Sequence, residues 1–352
     1  MGTVTSTDRL HTPVCALLGI DVPIVGAGMG GLAGPALAAA ISEAGGLGIV
    51  GAGGDEADVV SARLREARRR TSRPLGVNLV LEVVPPDRIV AVLDEGVDVL
   101  ATGWGDPAPW VDECRRRGTC LVHRVETAAE ARAAAAAGVD VIVAQGSDAG
   151  GHTGSVPTLA LVPCVVDAAG ATPVLAAGGI ADGRGLVAAL ALGAQGAVLG
   201  TRFVAAEEAF AHDEYRRRVT EADETESVLT DVYEIGWPGR PHRVLRNSTI
   251  ALWEAEPEPR ARPGDRQPQI VARRRRHGAV EELPRFWVDS PTADVEEGAE
   301  AMALYAGPSA GLVQEVLPAA EIVRRIAAEA QRVLDGLTHD THQTHDTGGG
   351  PA

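Results

Sequence analysis

One phrase recurs along this chain: an Ala-rich helical stretch ends at a glycine, and a short aliphatic strand follows within a residue or two. Ser42-Glu-Ala-Gly45 leads into Leu47 to Val50, Leu93-Asp-Glu-Gly96 into Val97 to Leu100, and Ala135-Ala-Ala-Gly138 into Val139 to Val143. Arg117-Gly118 precedes Leu121-Val122, and Ala191-Leu-Gly193 precedes Ala197 to Leu199. Glycine takes the left-handed conformation that closes a helix, and the short turn then feeds a parallel strand. Each phrase therefore reads as one βα crossover. Strands at Pro23 to Val25, Leu75 to Leu81 and Pro173 to Ala177 complete eight units between about residue 22 and residue 205, the number that closes a barrel.

The expected fold is thus α/β, a (β/α)8 TIM barrel with a C-terminal extension partly covering the barrel mouth. The 352 residues exceed the roughly 250 of a plain barrel, which leaves material for such an extension. Residues 20–210 form the barrel core, 211–300 a variable substrate-side region or lid, 301–335 a helical segment packing on the barrel, and 336–352 a disordered tail. A composition 45% hydrophobic but only 3% aromatic, with 42 glycines, suits strands buried on both faces beneath closely packed helices. In the final helical segment, Ile322, Val323, Ile326 and Ala327 fall on one face and Arg324, Arg325 and Glu329 opposite.

A net charge of -16 opposes a phosphate backbone, so nucleic acid is an unsuitable partner. No segment offers about 20 uninterrupted apolar residues, and the N-terminus lacks a basic region followed by an apolar stretch, so no membrane partner and a cytoplasmic protein are expected. Cys15, Cys114, Cys120 and Cys164 form no Cys-x-x-Cys pair and read as small buried apolar residues; no metal is expected. His339, His342 and His345 read as a polar end, and Arg273 to Arg276 as a solvated loop outside the site.

Gly26-Ala-Gly28-Met-Gly-Gly31 matches the dinucleotide fingerprint G-x-G-x-x-G. A dinucleotide fold needs an acid at the tip of its second strand, whereas Asp55 follows only after Gly51-Ala-Gly-Gly54. The eight-unit repeat also argues against it, so Gly28 and Met29 are assigned to a loop at the barrel mouth, beside a planar ring. Barrel chemistry gathers at the C-terminal ends of the strands, with phosphate held after strands seven and eight. Strand seven leads into Gly178-Gly179, with a helix opening near Gly183, and strand eight into Gly200-Thr201. Their backbone N–H groups make an anion site suited to a flavin phosphate.

Strand six ends in Gln145-Gly-Ser-Asp-Ala-Gly150-Gly151-His152, a polar run directly after an aliphatic strand. His152 can act there as base or acid near neutral pH. Asp148 either orients it or caps a turn. Asn78 is polar within the third strand and must bond to flavin or to neighbouring backbone. Gln145 holds the equivalent place on strand six, and Arg124, at the end of strand five, can set positive charge against a reduced flavin. Alternation sends the neighbouring His123 to the opposite face.

The ordered set Pro23 to Met29, Gly76-Val-Asn78, Ala144-Gln-Gly146 with Ala149-Gly-Gly-His152, Ala177-Gly-Gly179 and Gly200-Thr201 resembles the nitronate monooxygenase (2-nitropropane dioxygenase-like) family. Gly236-Trp-Pro238, Pro241 to Asn247 and Tyr305 to Gly311 extend the resemblance. It implies an FMN-containing barrel that oxidises alkyl nitronates with O2 to a carbonyl compound and nitrite. Met29, Asn78, Gln145, Gly150, Gly151, Gly178, Gly179, Gly200 and Thr201 would contact FMN, and His152 would be the base or the group that positions substrate. The first loop and Arg124 depart from the family pattern. Relatives with similar motifs include FMN-dependent NAD(P)H reductases of quinones and enoyl thioesters. Partners are then a small-molecule substrate and O2, with a homodimer as the assembly to test.

Overall fold

The computed structural model describes residues 10–256, 263–265, 267, 269–276 and 278–339. After helix α1 (Pro13–Leu18) come β1 (Ile24–Gly26), α2 (Pro35–Glu43), β2 (Gly48–Gly53), α3 (Ala57–Arg70), β3 (Leu75–Val80) and α4 (Pro86–Leu93). They are followed by β4 (Val99–Gly103), α5 (Ala108–Arg117), β5 (Cys120–Val125), α6 (Ala128–Ala137) and β6 (Val141–Gln145). The two-residue β7 (Gly151–His152) lies outside the barrel, which resumes with α7 (Thr158–Ala169), β8 (Val174–Ala177), α8 (Gly183–Ala191) and β9 (Gly196–Leu199).

Eight of these strands form one parallel sheet in the order β1-β9-β8-β6-β5-β4-β3-β2, and a parallel bridge from Val25 to Leu47 joins its two ends. The expected barrel is therefore present, with the five strands announced by the glycine phrase and the three added to them all in the sheet. Gly45, Gly96, Gly118, Gly138 and Gly193 all have positive φ, between 70° and 93°, as helix-closing glycines require.

Two apolar layers hold the barrel. Inside it, Val25, Ile49, Val99, Val122, Val143 and Leu175 pack together. Val14, Cys15 and Leu18 of α1 join them and close one end, a plug the repeat did not announce. Outside, the helices bury their aliphatic faces on the strands. Gly48 shows how close that packing is: a Cβ there would lie 1.8 Å from the Ala38 carbonyl oxygen of α2.

The remainder covers the barrel. Helices α9 (Thr201–Val204) and α10 (Asp213–Glu221) lead to β10 (Ser227–Thr230) and β11 (His242–Leu245), which form an antiparallel sheet with β7. After α11 (Ser248–Ala255), strands β12 (Ile270–Arg276), β13 (Ala279–Pro284) and β14 (Val295–Glu297) make a second antiparallel sheet. Arg273 to Arg276 thus form a strand rather than a solvated loop. Acids on neighbouring segments make this possible: Arg273 pairs with Glu282 and Glu297, Arg274 with Glu281 and Asp289, Arg275 with Glu296, and Arg276 with Asp294.

Helix α12 (Ala319–His339) packs against α8 and α2 with Ile322, Val323 and Ile326 buried, and runs four residues past the expected boundary at 335. His342, His345 and the serine- and threonine-containing N-terminus lie outside the described residues. Cys15 and Cys114 are buried as expected, but Cys120 is half-buried and Cys164 exposed on α7. No helix among the described residues is long and apolar enough to cross a membrane, and none of their acidic, His and Cys side chains cluster as a metal site would require.

Candidate active site

A cavity of about 610 Å³ opens at the C-terminal ends of the barrel strands, within the range of small-molecule sites. Gly28, Met29, Asn78, Arg124, Gln145, Gly150, Gly151, His152, Gly200 and Thr201 all line it, although they come from the ends of five different barrel strands. Gly178 and Gly179 do not. Their positive φ values, 107° and 74°, fold the loop after β8 against the loop after β6, where a Cβ on Gly178 would lie 2.7 Å from Thr158 Oγ1. The helix terminus at Gly183 is also occupied from within, since its N–H donates to Glu329 of α12 at 2.8 Å. A protein carboxylate fills the position read as part of an anion site.

The strand pattern explains the polar residues. Asn78 Nδ2 donates to the Ala101 carbonyl at 3.3 Å, and Gln145 Nε2 donates to the His152 carbonyl at 2.7 Å, fixing the loop that carries the histidine. Asp148 accepts from Thr158 N at 2.8 Å, so it caps the start of α7 and does not orient His152. Alternation along β5 puts His123 behind the wall, bonded to Thr102 Oγ1 at 2.9 Å, while Arg124 faces the cavity.

Arg124 is half-buried; its Nη1 donates to Glu126 at 2.7 Å and its guanidinium lies 3.6 Å from the centroid of Trp104. Trp104 has φ 51°, a conformation few non-glycine residues adopt, directly after β4. The aromatic neighbours of His152 are Trp237, His242, Tyr305 and Trp104. Strand β11 pairs with β7 so that His242 stands opposite His152. His242 accepts the Tyr233 N–H at Nε2 (3.1 Å) and therefore donates from Nδ1 to the Arg240 carbonyl (2.9 Å), which fixes its neutral tautomer.

Burial, reinforced by His242, Arg124 and Arg240, lowers the His152 pKa to about 3. Its Nε2 is buried without a hydrogen-bond partner among the described residues, and so is Arg124 Nε. Buried polar atoms left unpaired in this way mark where a ligand with complementary groups belongs. Both residues line one cavity, whose size suits a polar, planar cofactor and its substrate.

Several lining residues escaped the sequence reading. Trp104 carried a signal, being an aromatic residue directly after a barrel strand in a chain only 3% aromatic. Arg274 and Arg276 line the outer part of the cavity, contrary to their placement outside the site, because β12 forms one of its walls. Arg63 joins them from α3, where it is paired with Asp55.

A barrel of this topology, with a cavity and orphaned polar groups at its C-terminal mouth, has the architecture of a barrel enzyme. The chain belongs to the nitronate monooxygenase family, whose model matches residues 11–84 and 82–329. It is 32% identical to a nitronate monooxygenase of Paraburkholderia phytofirmans, over 91% of this chain and 95% of that protein. It is 33% identical to a (3aS,4S,5R,7aS)-5-hydroxy-7a-methyl-1-oxo-octahydro-1H-indene-4-carboxyl-CoA dehydrogenase of Mycobacterium tuberculosis, over 94% and 97% of the two chains. The solved structure of FabK from Thermotoga maritima superposes with a TM-score of 0.77 at 33% identity, covering 94% of this chain and 99% of that one. The family is generally flavin-dependent.

Proposed function

We propose that this chain is a cytoplasmic, FMN-dependent nitronate monooxygenase that oxidises alkyl nitronates with O2 to carbonyl compounds and nitrite. The observation that carries the reading is the neutral imidazole of His152, a residue that lines a cavity of about 610 Å³ and whose buried Nε2 has no partner among the described residues. Gly28, Met29, Asn78, Gln145, Gly150 and Gly151 would hold the flavin ring and its chain, and Gly200 and Thr201 its phosphate. Bound FMN supplies the electron acceptor for the nitronate and the reductant for O2. Arg124 offers a fixed positive charge beside it.

A nitronate arrives already ionised, so His152 has no need to abstract a proton. As an N–H donor at Nε2, its neutral ring can bind a nitronate oxygen and hold the anion in place. An anion so held offsets the burial that depresses the histidine's pKa and draws it upward. The small-molecule substrate and O2 are the partners, and a homodimer belongs to the same proposal.

A second reading, reduction of a quinone or enoyl thioester by NAD(P)H, is favoured by the thioester dehydrogenase named among the relatives. Anaerobic addition of NADH to the purified yellow protein separates the two. Under the nitronate reading the flavin colour persists with NADH and is lost with ethylnitronate. Rapid bleaching by NADH, with none by ethylnitronate, would replace the first reading with the second.

A further inference from the structure

The His152 ring is boxed by four other rings. Trp237 lies 4.4 Å away between centroids, His242 5.2 Å, Tyr305 5.5 Å and Trp104 6.3 Å. Any compound that reaches Nε2 has to share this box, so its walls set how large that compound can be. Three walls are fixed by bonds or stacking. His242 is held by backbone at both ring nitrogens. Tyr305 donates its hydroxyl to the Val288 carbonyl at 2.8 Å, while its own carbonyl accepts from Tyr215 at 2.5 Å. Trp104 is pressed against the Arg124 guanidinium.

Trp237 is carried differently. It sits between Gly236 and Gly239, whose φ values of 104° and 72° turn the chain sharply on either side of it. Arg240 then pairs with Glu82 of the loop after β3, drawing the segment over the cavity. The indole lies in contact with His152 and meets Trp104 edge to face at 4.6 Å. No carbon chain fits between rings at these separations.

We infer that Trp237, backed by Trp104, is the specificity-determining wall of the site, limiting the compounds that reach His152 to short, unbranched nitroalkanes and their nitronates. The choice of nitro compounds rests on the function proposed above. The size limit rests on the ring geometry, because a longer or branched chain needs the volume that the indole fills.

The test is calorimetric titration of the purified flavoprotein with nitroethane and with 1-nitrohexane, in wild type, Trp237→Ala and Trp237→Phe. Without a wall, the longer chain would bind more tightly through its extra buried methylenes. The expected result is tighter binding of nitroethane by wild type, and a shift in the ratio of the two Kd values of at least tenfold toward 1-nitrohexane in Trp237→Ala. Trp237→Phe should shift it less. A shift below tenfold in a Trp237→Ala protein that melts as wild type does, or wild type that prefers 1-nitrohexane, overturns the inference. If Trp237→Ala does not fold, Trp237→Leu reads the same ratio against the same threshold. Size-limited binding without oxidation of any nitronate would defeat the proposed reaction and leave the wall in place.

Discussion

Burial lowers the pKa of His152 to about 3 and of His123 to about 4, and it lowers that of His242 as well. On unfolding, each returns to about 6.5 and takes up a proton at mildly acidic pH. The unfolded state then binds more protons than the folded one, so this contribution to stability is intact above about pH 6.5 and is lost as pH falls toward 3 to 4. His152→Gln removes one such group. The difference in melting temperature between wild type and this variant should therefore change steadily from pH 7 to pH 4.5, in favour of the variant, and parallel curves would contradict the assignment. For catalysis, His152→Ala should lower kcat/KM on ethylnitronate by about 10²- to 10³-fold, the loss of one anion-binding donor, while the protein stays yellow. A variant that loses its flavin as well would show that the ring supports the cofactor site itself. Arg124→Ala, measured by FMN titration of the apoprotein, should weaken flavin binding at least tenfold; Arg124→Lys keeps the charge but not the stack on Trp104, and should fall between.

At the scale of elements, the barrel was legible because its signal is local: five of its helices close at a glycine of positive φ, and a strand follows within a few residues. The cover was not legible, because what makes it a sheet is distant in sequence. Arg274 is buried on β12 only because Glu281 and Asp289 come to it from β13 and the segment beyond, and the run of four arginines conceals the strand alternation. Arg274→Ala should cost about 1–3 kcal/mol in a denaturant titration, since two carboxylates lose their shared partner. A surface arginine would cost far less. The glycine at 183 reads from sequence only as the opening of a helix whose N-terminus could take an anion, not as a residue chosen for its lack of a side chain. That lack lets α12 approach, as a Cβ there would lie 2.3 Å from the Ala330 nitrogen. Gly183→Ala should destabilise the protein by at least about 1–3 kcal/mol through overpacking, with the flavin spectrum of the folded fraction unchanged.

Across the whole molecule, α1 closes one end of the barrel and the two small sheets partly cover the other, leaving one large cavity that spans strand ends far apart in sequence. Ten of the twelve residues assigned to the site from sequence line that cavity, because strand ends converge once eight strands close. The aromatic box around His152 was harder to see. Trp237, His242 and Tyr305 arrive from the cover, and the pairing of β11 with β7 sets His242 opposite the histidine. The central claim is that this site passes electrons from a nitronate to O2. Oxygen uptake by the purified yellow protein on addition of ethylnitronate, with nitrite assayed in the same sample, tests it most directly. The account predicts O2 consumption with nitrite release, both lowered about 10²- to 10³-fold in His152→Ala. A yellow, folded protein that consumes no O2 and releases no nitrite would contradict it.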